Sequence, residues 1–137
     1  MIVADTNVIS ETLKLVPDEH VMNWLAAHAS EITITAVTVG ELSLGLEVLP
    51  EGHRKADLRR ALSGIFALHG ETMFVFDALA GQQYGRLIAD RRRKGHPLDT
   101  EDAMIAAICL TNNLSLATRN VKDFDGLGLN LINPWQA

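Results

Sequence analysis

The chain predicts an α/β fold of three layers, a central and mostly parallel sheet of four to five short strands flanked by helices. Three observations carry this. Short apolar or β-branched runs recur at residues 2–4, 32–35, 73–76, 115–117 and 130–132. Longer stretches with helical spacing separate them, and strands alternating with helices favour a parallel sheet. Acidic residues follow the strand-like runs, where open α/β sheets place their ligands.

The elements follow in order. Ile2-Val3-Ala4 forms the first strand, and Asp5 closes it. Val21, Trp24 and Leu25 make an i, i+3, i+4 stripe, so a helix precedes the run Ile32-Thr33-Ile34-Thr35. Thr38-Val39-Gly40-Glu41 fits a capping box, with a Thr cap and a Glu three residues on. Leu42, Leu46 and Leu49 continue that helix, and Pro50-Glu51-Gly52 breaks it before a second one carrying Leu58, Leu62, Ile65 and Phe66. After the strand at 73–76, Asp77 caps a helix bearing Leu79, Gln83, Tyr84, Leu87 and Ile88. Asp99-Thr100-Glu101-Asp102 supplies an acidic start to the apolar helix of Ala103, Ile105, Ala106 and Ile108. No repeat, low-complexity tract or linker interrupts residues 1–137, which read as one domain.

Composition limits the function classes. With 47% apolar and 21% charged residues, the chain is of ordinary globular type and long enough to bury a core. No apolar stretch approaches the roughly 20 residues needed to span a bilayer. No basic region precedes the apolar N-terminus, so a cytoplasmic address is expected. The one cysteine, Cys109, lies in an apolar helical pattern and reads as a buried thiol. The five histidines have no metal-like spacing, which argues against zinc.

A net charge of −5 argues at first against nucleic acid, but eight of the 12 basic residues cluster. Arg54, Lys55, Arg59 and Arg60 form one group; Arg91, Arg92, Arg93 and Lys94 form the other. Each is a solvated helix face or a stripe for phosphates, and charge alone does not choose.

Asp5, Glu41 and Asp102 are the candidate site. Singly, each has a structural explanation: a cap for a helix starting at Thr6, the returning half of a capping box, and a residue compensating a helix dipole. Together, at one edge of a parallel sheet, they would repel one another unless a cation sat between them, and oxygen-only clusters suit Mg²⁺ or Mn²⁺. Asp99 lies three residues from Asp102 and shares its helix face. Thr6 and Asn7 add a hydroxyl and an amide beside Asp5. Thr118, Arg119 and Asn120, with Asp123 behind, offer a similar set after strand 115–117, although Thr118 and Asn120 also suit an ordinary turn. Trp24 and Trp135 read as core or interface aromatics. An aspartyl-phosphate phosphatase would want a second Asp where Asn7 stands, and no Gly-x-Gly-x-x-Gly follows the first strand to bind a dinucleotide.

The motifs resemble those of PIN domains. Asp5-Thr6-Asn7 after an apolar strand is similar to the family's opening motif. Thr38 to Leu42 with Leu44-Gly45 is similar to its second acidic motif, and Asp102 to Ala107 to its third. Leu116 to Asn120, Asp123-Phe124 and Asn133-Pro134-Trp135 look like its closing segment, so the likeness runs from Met1 to Trp135. It is nearest to the VapC/FitB branch, the toxin halves of type II toxin–antitoxin modules.

The resemblance implies a growth-arresting, Mg²⁺-dependent endoribonuclease that hydrolyses RNA phosphodiesters. Asp5, Glu41 and Asp102 would hold the metal and carry catalysis, with Thr6, Asn7, Asp99 and Thr118 as polar support. Asn120 stands where many relatives have Asp, so Asn120 or Asp123 is the candidate fourth ligand and two-metal occupancy is in question. Arg91, Arg92, Arg93, Lys94 and Arg119 are candidates for the RNA backbone. The resemblance further implies a VapB/FitA-type antitoxin, a homodimer, and promoter DNA bound only through the antitoxin complex. An alternative is a weakly catalytic or non-catalytic dimeric platform whose antitoxin complex binds DNA.

Overall fold

The computed structural model describes residues Met1–Ala137. Four strands, β1 (Ile2–Ala4), β2 (Ile32–Thr33), β3 (Ser115–Ala117) and β4 (Leu131–Ile132), form a sheet of order β2-β1-β3-β4 with every pairing parallel. Ile2 faces Ile32 on one side and Ser115 on the other, and Ala4 pairs with Ala117. The chain leaves β1 for β2 at one side and reaches β3 at the other. A crevice therefore opens at the carboxyl ends of β1 and β3, the switch point where such sheets bind ligands.

Six helices cover the sheet: α1 (Thr6–Thr12), α2 (Glu19–Ala27), α3 (Ala36–Glu47), α4 (His53–His69), α5 (Ala78–Lys94) and α6 (Thr100–Asn112). Two apolar cores lie on its two faces, because successive strand side chains point to opposite sides. Ile2 and Ala4 join Trp24, Ile34, Leu42 and Leu62 in one core. Val3 joins Leu87, Ile105, Leu116 and Phe124 in the other. Helix α6 is buried through Ala103 and Ile105 to Cys109, and its alanines let it lie close to the sheet and to α5.

Several expectations change in detail. Residues 73–76 do not form a fifth strand. Phe74 makes only an isolated parallel bridge to Thr35, donating to Ile34 O and accepting from Ala36 N. The bridge lies beyond the end of two-residue β2, where the chain already turns into α3, so no ladder can extend. Thr38 is not the cap of α3. Thr35 caps it, accepting from Thr38 N at 3.2 Å, so the helix starts earlier and Glu41 is free of any capping role. Asp99 occupies the N-cap position of α6 without a side-chain capping bond. Leu79 is exposed rather than packed.

Three of the four residues of the first basic cluster are paired with acids, two of them from outside α4. Lys55 bonds Glu51 and the carbonyl of Glu47, Arg59 meets Glu47, and Arg60 meets Asp57. In the second cluster Arg91 is buried and spans α5 to the following segment, donating to the carbonyls of Asp123 (3.1 Å) and Asp125 (2.7 Å). Those bonds take Arg91 away from solvent, which corrects its reading as an RNA-backbone contact. No helix is long and apolar enough to cross a membrane.

Candidate active site

The crevice holds a cavity of about 440 Å³ lined by Asp5, Thr6, Asn7, Glu41, Asp99, Asp102 and Asn120, together with Ser10, Glu11, Lys14, Arg119 and Trp135. Asp5 comes off β1 and caps α1, with Oδ1 accepting from Thr6 N at 2.8 Å. Its Oδ2 accepts from the buried Thr118 hydroxyl at 2.7 Å. Each carboxylate oxygen keeps a lone pair for another partner. Asp5 is only 3% exposed, and that burial pushes its carboxyl above the usual range, against the two hydrogen bonds that favour its charged form.

Glu41 is held from the other side of the crevice. The Thr6 hydroxyl donates to Oε1 of Glu41 at 2.6 Å. Its single proton is thus committed, and the Thr38 hydroxyl, 2.9 Å away, donates to Thr6 in turn. Desolvation raises Glu41, the Thr6 bond lowers it, and Asp5 and Glu101 raise it further by repulsion.

Asp102 stands in the first turn of α6. Desolvation, then repulsion from Asp5, Asp99, Glu41 and Asp123, pushes its carboxyl up to about 7. Acids that raise one another in a shared, partly desolvated cavity define a place for positive charge. No three carboxylate, histidine or cysteine side chains are drawn together closely enough to form a ready metal cage. The donors are nevertheless all oxygen, as hard divalent cations require, and a cation would relieve the repulsion that Asp102 records. The residues fit such an ion.

The other expected residues divide. Asn7 bridges the two strand ends, donating weakly to Thr118 Oγ1 (3.5 Å) and accepting from Arg119 N (3.4 Å). Thr118 is a buried support for Asp5 and for Asn120, whose N–H it accepts at 3.1 Å. Asp123 is exposed, does not line the cavity, and is the smallest contributor to Asp102. Arg92, Arg93 and Lys94 are exposed and also outside the cavity, with Arg93 and Lys94 reaching Asp90.

Sequence reasoning missed Ser10, Glu11 and Lys14. The signal was present: Asn7, Ser10 and Glu11 follow at i, i+3 and i+4 on the side of α1 that faces the crevice, and Lys14 comes at i+7 just past its end. Glu11 is buried, bonded to Lys14 at 2.8 Å and to Asp18 N at 2.9 Å, and Lys14 holds its carboxyl below the usual range.

A parallel α/β sheet with an acidic, oxygen-lined cavity at its switch point defines the class. Within that class, the family model described as PIN domain matches residues 2–128, and the chain belongs to this family. Over the full length of both chains it is 40% identical to the plasmid stability protein StbB of Pseudomonas syringae pv. tomato. It is 38% identical to the VapC ribonuclease Y4jK of Sinorhizobium fredii, with 99% of each covered. With toxin FitB of Neisseria gonorrhoeae it shares 34%, covering 98% of this chain and 99% of FitB. The crystal structure of FitAcB from Neisseria gonorrhoeae superposes with TM-score 0.93 at 32% identity over all of both chains. The structure of FitAB bound to the IR36 DNA fragment gives 0.92 at 31%, covering 98% and 96%.

Proposed function

We propose that residues 1–137 act as one PIN domain, the toxin of a type II toxin–antitoxin module and a metal-dependent endoribonuclease. The observation that carries this is the convergence of Asp5, Glu41 and Asp102 on one cavity where their charges oppose one another. The VapC ribonuclease and toxin FitB, similar along the whole chain, support the activity and the biological role.

Asp5 and Asp102 would hold the divalent cation, Mg²⁺ or Mn²⁺, with Asn120 as a neutral fourth oxygen and Glu41 reaching it directly or through a water. Bound there, the ion supplies Lewis acidity toward a phosphate oxygen and makes an associated water more acidic. Glu41 keeps Oε2 free, since Thr6 occupies Oε1, and it accepts the proton of the attacking water. Thr118 and the Thr6 N–H fix Asp5 so that neither oxygen swings away. Asn7 and Asn120 present amides to the scissile phosphate. Water attack then breaks the bond to the 3′ oxygen, which takes a proton from solvent water, leaving a 5′-phosphate and a 3′-hydroxyl.

A VapB/FitA-type antitoxin would neutralise the enzyme, and a homodimer would bind promoter DNA through that antitoxin. The FitAB complex with DNA supports this assembly. A toxin that arrests growth by cutting the cell's own RNA would act in the cytoplasm.

Induced expression of the wild-type chain beside Asp5→Asn tests the proposal, with growth and total RNA followed together. Growth arrest with discrete new RNA ends, absent from the variant, is expected. Full growth and intact RNA from a soluble wild-type chain would overturn it in favour of a non-catalytic DNA-binding platform.

A further inference from the structure

The acidic cavity has two cations in its lining, and they differ in what they have left to offer. Lys14 is spent on the buried Glu11 carboxylate at 2.8 Å. Arg119 has no carboxylate within ion-pairing distance. Its guanidinium instead lies over the Trp135 ring, 5.0 Å from the centroid. A polyanion that enters a cavity lined by five acids needs a fixed positive charge at the entrance, and only Arg119 has one free.

Both ends of this arginine are anchored. Its backbone N–H reaches Asn7 Oδ1 at 3.4 Å, and the preceding residue, Thr118, is bonded to Asp5. The indole is itself fixed: Asn133 Oδ1 accepts Trp135 N at 3.0 Å, Pro134 is buried, and the ring packs against the core that contains Trp24. A guanidinium over an aromatic face keeps its N–H edge open for bidentate phosphate contact, with little freedom left to lose on binding.

Resting on the ribonuclease reading above, we propose that Arg119 is the clamp for an RNA phosphate beside the scissile one. Trp135 is the positioning residue that holds the clamp ready. The C-terminal Asn133-Pro134-Trp135 turn is then part of the substrate site, acting through Arg119 rather than by stacking on a base.

The test is binding of a short fluorescein-labelled single-stranded RNA of mixed sequence, with Ca²⁺ in place of Mg²⁺, across a salt series. Cleavage of total RNA in Mg²⁺ is followed in parallel. One lost phosphate contact on a single strand lowers the salt slope by about 0.7. Arg119→Gln, at an exposed position, should show that loss and about tenfold weaker binding at low salt. Trp135→Leu should show the same slope loss, and Trp135→Phe should restore it, a pattern that mere destabilisation would not give. An unchanged slope in Arg119→Gln, with wild type still cutting RNA, would overturn the clamp and leave the ribonuclease reading standing. A loss in Arg119→Gln that Trp135→Leu does not share would overturn the role of Trp135. A wild-type chain that neither binds nor cuts RNA would overturn both readings.

Discussion

The Thr6 hydroxyl donates to Glu41 Oε1 at 2.6 Å, joining the first residue of α1 to the second turn of α3 across 35 positions of sequence. This bond favours the ionised form of Glu41 against the desolvation that opposes it. Thr6→Val removes it. The Glu41 carboxyl should then move further up, and the acid limb of the pH profile for kcat/KM should shift to higher pH. At neutral pH the loss should be roughly tenfold, the equivalent of one charge-assisted hydrogen bond at about 1.5 kcal/mol. An unshifted acid limb would remove Glu41 from the role of base.

Asp102 gives the metal-free fold a dependence on pH. Its carboxyl stands at about 7 in the folded chain against 3.8 ordinarily. It therefore binds its proton more tightly when folded, so its contribution is favourable in acid and is lost as pH rises from about 4 through 7. Asp5 and Glu41, also raised, act in the same direction. Glu11 is lowered, and its stabilisation is lost only below the ordinary carboxylate range. Melting in chelator should thus show Tm falling between pH 4 and 7, and Asp102→Asn should flatten that fall. Mg²⁺ or Mn²⁺ should raise Tm at pH 7 in wild type and much less in Asp102→Asn.

Arg91 is structural. Its replacement by Met leaves the carbonyls of Asp123 and Asp125 without a charged donor, at a cost of about 2 kcal/mol. Denaturant unfolding should record this, whereas Arg92→Gln on the exposed face should leave stability within about 0.5 kcal/mol of wild type. Equal effects would contradict the assignment.

Cys109 is fully buried, and desolvation pushes its thiol up to about 12. Thiolate is the reactive form, so iodoacetamide should leave the native chain unmodified and label it rapidly once unfolded. Labelling of the folded protein at neutral pH would show that α6 opens.

The three acids stood out as candidates because Asp5 closes the apolar run of β1, Glu41 follows β2 by one turn of helix, and Asp102 opens the apolar helix α6. Lost from view was what depends on partners distant in sequence. Thr38-Val39-Gly40-Glu41 has the letters of a capping box, but the bridge from Thr35 to Phe74 starts the helix earlier and makes Thr35 the cap. Phe74 lies in a strand-like run whose neighbour, β2, ends too soon to pair with it. Arg91 reads as one of four consecutive basic residues. Its spacing from Tyr84, Leu87 and Ile88 nonetheless puts it on the apolar face of α5, and that was the available sign of burial. Trp135 was rightly expected to pack, but the partner on its free face, Arg119, comes from β3's far end.

The most direct measurement is the rate at which the purified chain cuts RNA as Mg²⁺ is titrated, compared with Asp102→Asn and with chelator. Saturable, metal-dependent cleavage leaving 5′-phosphates should fall by on the order of 10³-fold in the variant and vanish in chelator. Cleavage at wild-type rate by Asp102→Asn, or undiminished in chelator, would contradict a metal site built from Asp5, Glu41 and Asp102.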